Sequence, residues 1–150
     1  MNRLWRGLLP GLAGSLAMHL FRKAWERGTR NRSEDGIFGF DREADVNSAR
    51  LVAVLLSGHE LDEKSGANLG MILHYAFGTT LGCACSLLKL ETFSPPLLGG
   101  ILWLVVDEIP ISLAGISNPR RKSFLSHTGA FLAHLIFAKV FVRFVIQSRG

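Results

Sequence analysis

Apolar residues in this chain fall in long blocks rather than at the 3.6-residue period of a soluble amphipathic helix. Four blocks are long enough to cross a bilayer as helices: about 4–25, 67–88, 95–117 and 124–146. After the first comes a polar stretch, 26–45, with Gly28, Gly36, Gly39 and charges of both signs, which reads as a loop. Residues 46–61 set Ala49, Val52, Ala53 and Leu56 among polar positions. That pattern suits a short helix lying on a membrane surface, or one packed on the loops of a bundle. Asp62 to Gly66 leads into the second block. Glu91 to Ser94 turns into the third, where Pro95 and Pro96 fit a first helical turn. Asn118 to Lys122 is the last connection. The expected fold is a single all-α domain over 1–150, an integral membrane four-helix bundle with an interfacial helix between spans one and two. Short connections make consecutive helices antiparallel neighbours, so spans two, three and four are expected to pack in sequence.

Inside a bilayer, water drives no association between helices, and close packing depends on small residues. The first span offers Gly7, Gly11 and Ser15 at four-residue spacing. The second offers Gly70, Gly78 and Gly82 along one face, with His74 on that face, and the fourth offers Gly129 and Ala133. Pro10 and Pro110 are expected to kink their helices.

The start of the chain, Met1 to Arg6 followed by an apolar run with Ala13 and Ser15, fits a signal peptide. It also fits a retained span. Trp5 and Trp25 are twenty residues apart, which places one at each interface of a bilayer. Arg6 and Arg22 are then placed to snorkel.

Composition changes this picture little. The net charge of +5 first suggests nucleic acid, but most of the seventeen Lys and Arg residues flank the apolar blocks and form no stripe with interleaved aromatics. Nucleic acid is therefore excluded as a partner, and the expected partners are the bilayer and a second copy or another membrane subunit. Eleven of the seventeen basic residues lie in the first and third connections, which places those connections in the cytoplasm and both termini outside. Cys83 and Cys85 are two apart on a helix, so they point to different faces and cannot bond to each other.

The third block carries the chemistry. Asp107 and Glu108 sit side by side within the 23-residue, otherwise uncharged run from Pro95 to Ser117. Each carboxyl at that depth costs about 2.5–3.5 kcal/mol on insertion scales, which a partner or a function must offset. Counted at 1.5 Å per residue from the basic connections, Asp107, Glu108 and His134 lie roughly 14–15 Å deep. On the same count His74 comes to about 10 Å, His19 to about 9 Å and His127 to about 5 Å. These residues are expected to form one intramembrane polar network. At 100° per residue the two acids diverge. Asp107 then shares a face with Gly100, Trp103 and Pro110, and Glu108 shares one with Ile101, Leu104 and Ile111, a more lipid-like set.

This set admits several readings. Imidazoles that donate to carboxylates can simply fix helix order. Histidine beside carboxylate at membrane depth also suits a proton relay or ion pathway. His74, Asp107 and His134 are candidate ligands for a transition metal, and His74 with His134 could clamp a haem. No cofactor is called for by any motif. Ser57-Gly58-His59 and Ser126-His127 form no nucleophile elbow, so hydrolysis has little support.

Several segments together resemble a known group. These are Gly11-x-x-Gly14, the run His74 to Gly82, the Trp103 helix with Pro110 and Gly115, and Ser126-His127 before the fourth span. The layout is similar to small bacterial inner-membrane proteins of the YagU-like kind, a group of unknown function. The resemblance implies a multi-pass helical bundle in the bacterial inner membrane and assigns no catalytic residue. Asp107 and Glu108 have no counterpart in it. The expected role is non-enzymatic: a structural, stress-related or accessory membrane component. Proton- or metal-linked transport or sensing, and then a haem- or metal-dependent membrane redox enzyme, are the alternatives.

Overall fold

The computed structural model describes residues 3–29, 49–55, 58–59, 61–109 and 124–147, and of Arg3, Leu4, Asp107 and Glu108 the backbone alone. Among these residues all secondary structure is helical. Helix α1 spans Arg3–Thr29, a short α2 covers 49–55, and α3 spans Glu63–Leu87. A 3₁₀ turn at Leu90–Thr92 follows. Helix α4, Pro95–Leu102, continues without a break into a π-helical stretch, Trp103–Glu108. Helix α5 is Phe124–Gln147. The third connection, Pro110, Gly115 and most of the 26–45 loop lie outside the described residues.

Local chemistry explains the boundaries. Asp62 caps α3 in extended geometry and Glu63 follows in the first turn, where a negative charge suits the helix dipole. Lys89 takes the left-handed conformation (φ 57°) between α3 and the 3₁₀ turn. Pro95 and Pro96 open α4, where their missing amides cost nothing. Gly58 (φ +71°) donates its amide to the Val54 carbonyl at 2.9 Å, the left-handed glycine stop that ends α2.

Helix α1 lies between α3 and α5, and α5 also packs along α4. Among the described residues α3 and α4 share no such extended contact; the 3₁₀ turn joins them. Spans three and four pack together as expected, but among the described residues span two packs on α1 rather than on span three. A short connection holds only helix ends together, whereas whole helices pair where their faces fit.

The α1–α3 contact is made of backbone. A methyl group on Gly7 would sit 2.5 Å from Cys83 Cα, and one on Gly11 would sit 2.7 Å from the Gly78 carbonyl oxygen. One on Gly82 would meet the Gly7 oxygen at 2.5 Å and Gly11 Cα at 2.6 Å. Ser15 fills the space over Gly78, and its hydroxyl donates to the Gly11 carbonyl at 3.0 Å. Gly70 is buried further along the same helix.

On its other side α1 meets α5 where Gly14 faces the Phe137 ring. Here the interior becomes bulky: Phe137, Phe141, Val142 and Val145 of α5 cluster with Leu98 and Leu102 of α4 and Cys85 of α3. The Phe137 and Phe141 rings stack at 6.2 Å. Gly99 lets α4 rest directly on α5, since a methyl group there would lie 2.8 Å from Leu135 Cα.

One described helix, Phe124–Gln147, is long and apolar enough to cross a membrane, and Pro95–Val106 is a shorter apolar helix. Gly11→Ala should lower the thermal midpoint of the purified protein, with overpacking of about 1–3 kcal/mol where backbone cannot yield. Gly28 has nothing within 4 Å, so Gly28→Ala should be neutral or stabilising by up to about 1 kcal/mol. Equal effects at the two positions would contradict the seam.

Candidate functional site

The seam sets which side chains can meet. Reading up the antiparallel pair, Gly7 lies against Cys83, Gly11 against Gly78 and Gly82, and Ser15 against Gly78. The next turn of α1 brings the His19 ring to 5.9 Å from the ring of Tyr75. His74 packs edge-on to the same tyrosine at 5.6 Å. Two imidazoles from two helices thus flank the chain's single tyrosine. All three are half-buried. Tyr75 was not singled out by sequence reasoning, although its place next to His74 on the small-residue helix was a usable signal.

His134 lies on α5 and is buried. Its Nδ1 is 2.9 Å from the Ala130 carbonyl. A carbonyl only accepts, so Nδ1 donates, which holds the ring in orientation. The α1–α5 contact at Gly14 and Phe137 places His134 within about 3 Å of the His19 level, at 1.5 Å per residue. His19, His74, Tyr75 and His134 therefore share a layer.

The acid pair belongs to a different level. Gly99 rests on His134 and Leu135, and Trp103 meets Phe131 edge-on with ring centroids 5.4 Å apart. Continuing that antiparallel register, the backbone of Asp107 and Glu108 comes level with His127. The expected single layer is thus divided in two. Depth counted from loop ends assumes that neighbouring helices begin flush. Instead, Pro95 starts level with Lys139, and α5 runs on for two turns beside the 3₁₀ turn. The side chains of Asp107 and Glu108 lie outside the described residues.

The 3₁₀ turn, packed against α3, α4 and α5, holds Glu91. Glu91 is 6% exposed, although it sits in a connection of the kind where acids are ordinarily solvated. Its carboxylate acts electrostatically on Cys85, itself fully buried, and Ser86 is buried beside them in sequence. Nothing in the sequence distinguished Glu91 from an ordinary turn acid.

As for metal chemistry, no group of three or more His, Cys, Asp or Glu among the described residues is placed to hold an ion. His74 and His134, the candidate haem clamp, sit on α3 and α5, each of which packs along α1. Neither Cys83 nor Cys85 is in a disulfide. Comparison of the chain with protein-family models, curated proteins and solved structures finds no match.

The first layer is a ring-packing site. Aromatic pairs contribute about 0.5–1.5 kcal/mol each beyond area burial. Tyr75→Phe should therefore leave the thermal midpoint nearly unchanged, whereas Tyr75→Ala should lower it by several degrees. An equal loss in both variants would instead make the phenol hydroxyl the essential group.

Proposed function

We propose that this chain is a multi-pass integral membrane protein, a four-helix bundle whose role is structural or accessory rather than enzymatic. The observation that carries the reading is the distribution of side-chain size. On α1 the outward residues Leu9, Leu12, Leu16 and Leu20 are 42–58% exposed, while Gly7, Gly11, Gly14 and Ser15 are buried. Helix α3 repeats the arrangement, with Met71, Ile72 and Phe77 outward and Gly70, Gly78 and Gly82 inward. A protein folded in water buries its leucines, and so large an exposed apolar surface marks a lipid or protein contact. Charged residues near the ends of α1 and at the start of α3 lower their hydropathy, as do glycine and histidine, several of which are turned towards neighbouring helices.

The hydroxyls point the same way. Ser15, Thr79, Thr80 and Thr128 each donate to the carbonyl four residues earlier, at 2.7–3.0 Å. Such bonds satisfy a hydroxyl where no water can. Lys139 and Arg143 are exposed on α5. Level with the start of α4 and beyond it, they are placed to snorkel to an interface. Helix α2 buries Ala49 and Ala53 and exposes Leu51, Val54 and Leu55, as an interfacial helix would. In this reading the connections holding Arg22 to Lys64 and Arg120 to Lys122 face the cytoplasm, and the resemblance to the YagU-like group suggests the bacterial inner membrane.

Proton- or metal-linked transport or sensing is the second reading. The π-helical winding at Asp107 and Glu108 favours it, because such widenings gather at functional sites. The membrane reading predicts that the protein stays in the pellet after alkaline carbonate washing. Single cysteines at Lys89→Cys and Arg121→Cys, in a Cys83→Ser/Cys85→Ala background, should label from opposite sides of sealed vesicles. Release by carbonate, or labelling of both from one side, would contradict it.

A further inference from the structure

The two ends of the bundle differ in charge. Of the chain's twelve acids, nine fall between Glu26 and Glu63, from the end of α1 to the start of α3. Glu91 is the one acid between α3 and α4, and no acid precedes Glu26 or follows Glu108. The seventeen basic residues divide otherwise. Eleven lie in the first and third connections, and the remaining six are Arg3, Arg6, Lys89, Lys139, Arg143 and Arg149. The side with fewer cations therefore has the larger excess of positive charge.

The fold gathers that excess around the α3–α4 turn. Gly7 lies against Cys83, so the start of α1 stands beside the end of α3. Gly99 rests on Leu135 and Trp103 on Phe131, so α4 and α5 are antiparallel and the later part of α5 reaches the start of α4. Lys89 precedes the 3₁₀ turn and is exposed. Lys139 is exposed level with Pro95, and Arg143 is exposed one helical turn further along the same face of α5. Glu91, the one acid here, is buried, which withdraws its carboxylate from this surface. Trp5 and Phe93 are exposed at the same end, and an indole favours the headgroup level of a bilayer.

We infer that this end of the bundle, with Lys89, Lys139 and Arg143 around the α3–α4 turn, binds the headgroups of anionic phospholipids. Its placement at an interface rests on the membrane reading. Topology does not account for these cations. Basic residues hold a connection in the cytoplasm and acids contribute little to that rule, so cations kept on the opposite side work against the orientation signal. A lipid phosphate is the anion met at that depth. Cations within a Debye length of an anionic surface, about 8–10 Å at ordinary salt, are drawn to it, and each one strengthens the attachment. Lysine and arginine suit the position, because their stems lie along apolar surface while their heads reach the phosphates.

Spin-labelled lipids test this on the whole chain reconstituted in phosphatidylcholine vesicles, since lipid held at a protein gives a motionally restricted signal. Spin-labelled phosphatidylglycerol should be held about threefold or more over phosphatidylcholine at low salt, and the preference should fall towards unity in about 0.5 M sodium chloride. Lys89→Gln/Lys139→Gln/Arg143→Gln should remove most of the preference, whereas Lys23→Gln/Arg27→Gln/Lys64→Gln at the other end should keep it. Equal restriction of both lipids by the unaltered protein, as a face built for an acidic protein would give, would overturn the inference. So would a preference lost only in the second variant. Displacement by inorganic phosphate beyond that by chloride at equal ionic strength would assign the site to a free anion and also overturn it. If neither lipid is restricted, the membrane reading itself fails. A restricted signal without headgroup preference removes the lipid site alone.

Discussion

The approach of α1 to α3 through Gly7, Gly11, Gly78 and Gly82 is the constraint on which the rest of the bundle depends. Individual dispersion contacts are worth only about 0.1–0.2 kcal/mol, and a long seam sums many of them only if the backbones can touch. Contacts of 2.5–2.8 Å for an added methyl group leave no freedom to slide by a residue. The register fixed in this way carries His19 to Tyr75 and His74 one turn further on. It also turns the leucines of α1 away from the protein, because the opposite face of the helix is occupied by another backbone.

Helix α5 supplies what α1 lacks. It is the helix with most bulk in the interior, and it receives α1 at Phe137 and α4 at Leu135. The bundle is thus joined by two glycine-dependent contacts on either side of a bulky helix. Its polar chemistry is sorted by the same geometry. The imidazole and phenol rings lie in one layer, the acid pair and His127 one to two turns away, and Glu91 beneath the far end of α5.

The parts of this arrangement that follow from angle alone were legible in the sequence. Gly7, Gly11 and Ser15 recur every four residues, and Gly70, Gly78 and Gly82 share one face, so each stripe could be seen before any partner was known. That the blocks are helical was legible from prolines, polar connections and block length; the end of the third block lies outside the described residues. Helix order was not, because a short loop between α3 and α4 constrains two ends and says nothing about faces. Depth between helices also failed, since it depends on where each helix starts relative to its neighbour. The division between Asp107 and Glu108 assumed 100° per residue through Trp103–Glu108, and the winding there differs. Glu91 was hidden for a further reason. Its turn packs against α3, α4 and α5, the last more than forty residues later in the chain.

Placing the helices in lipid, with glycine inward and leucine outward, is the central claim, and site-directed spin labelling along α1 tests it most directly. Nitroxides placed one at a time from Leu8 to Phe21 would be read for collisions with oxygen, which concentrates in lipid, and with a water-soluble nickel chelate. The account predicts oxygen maxima at Leu9, Leu12, Leu16 and Leu20, minima at Gly11 and Ser15, and low nickel access along the stretch. Nickel maxima at the four leucines would place that face in water and contradict it.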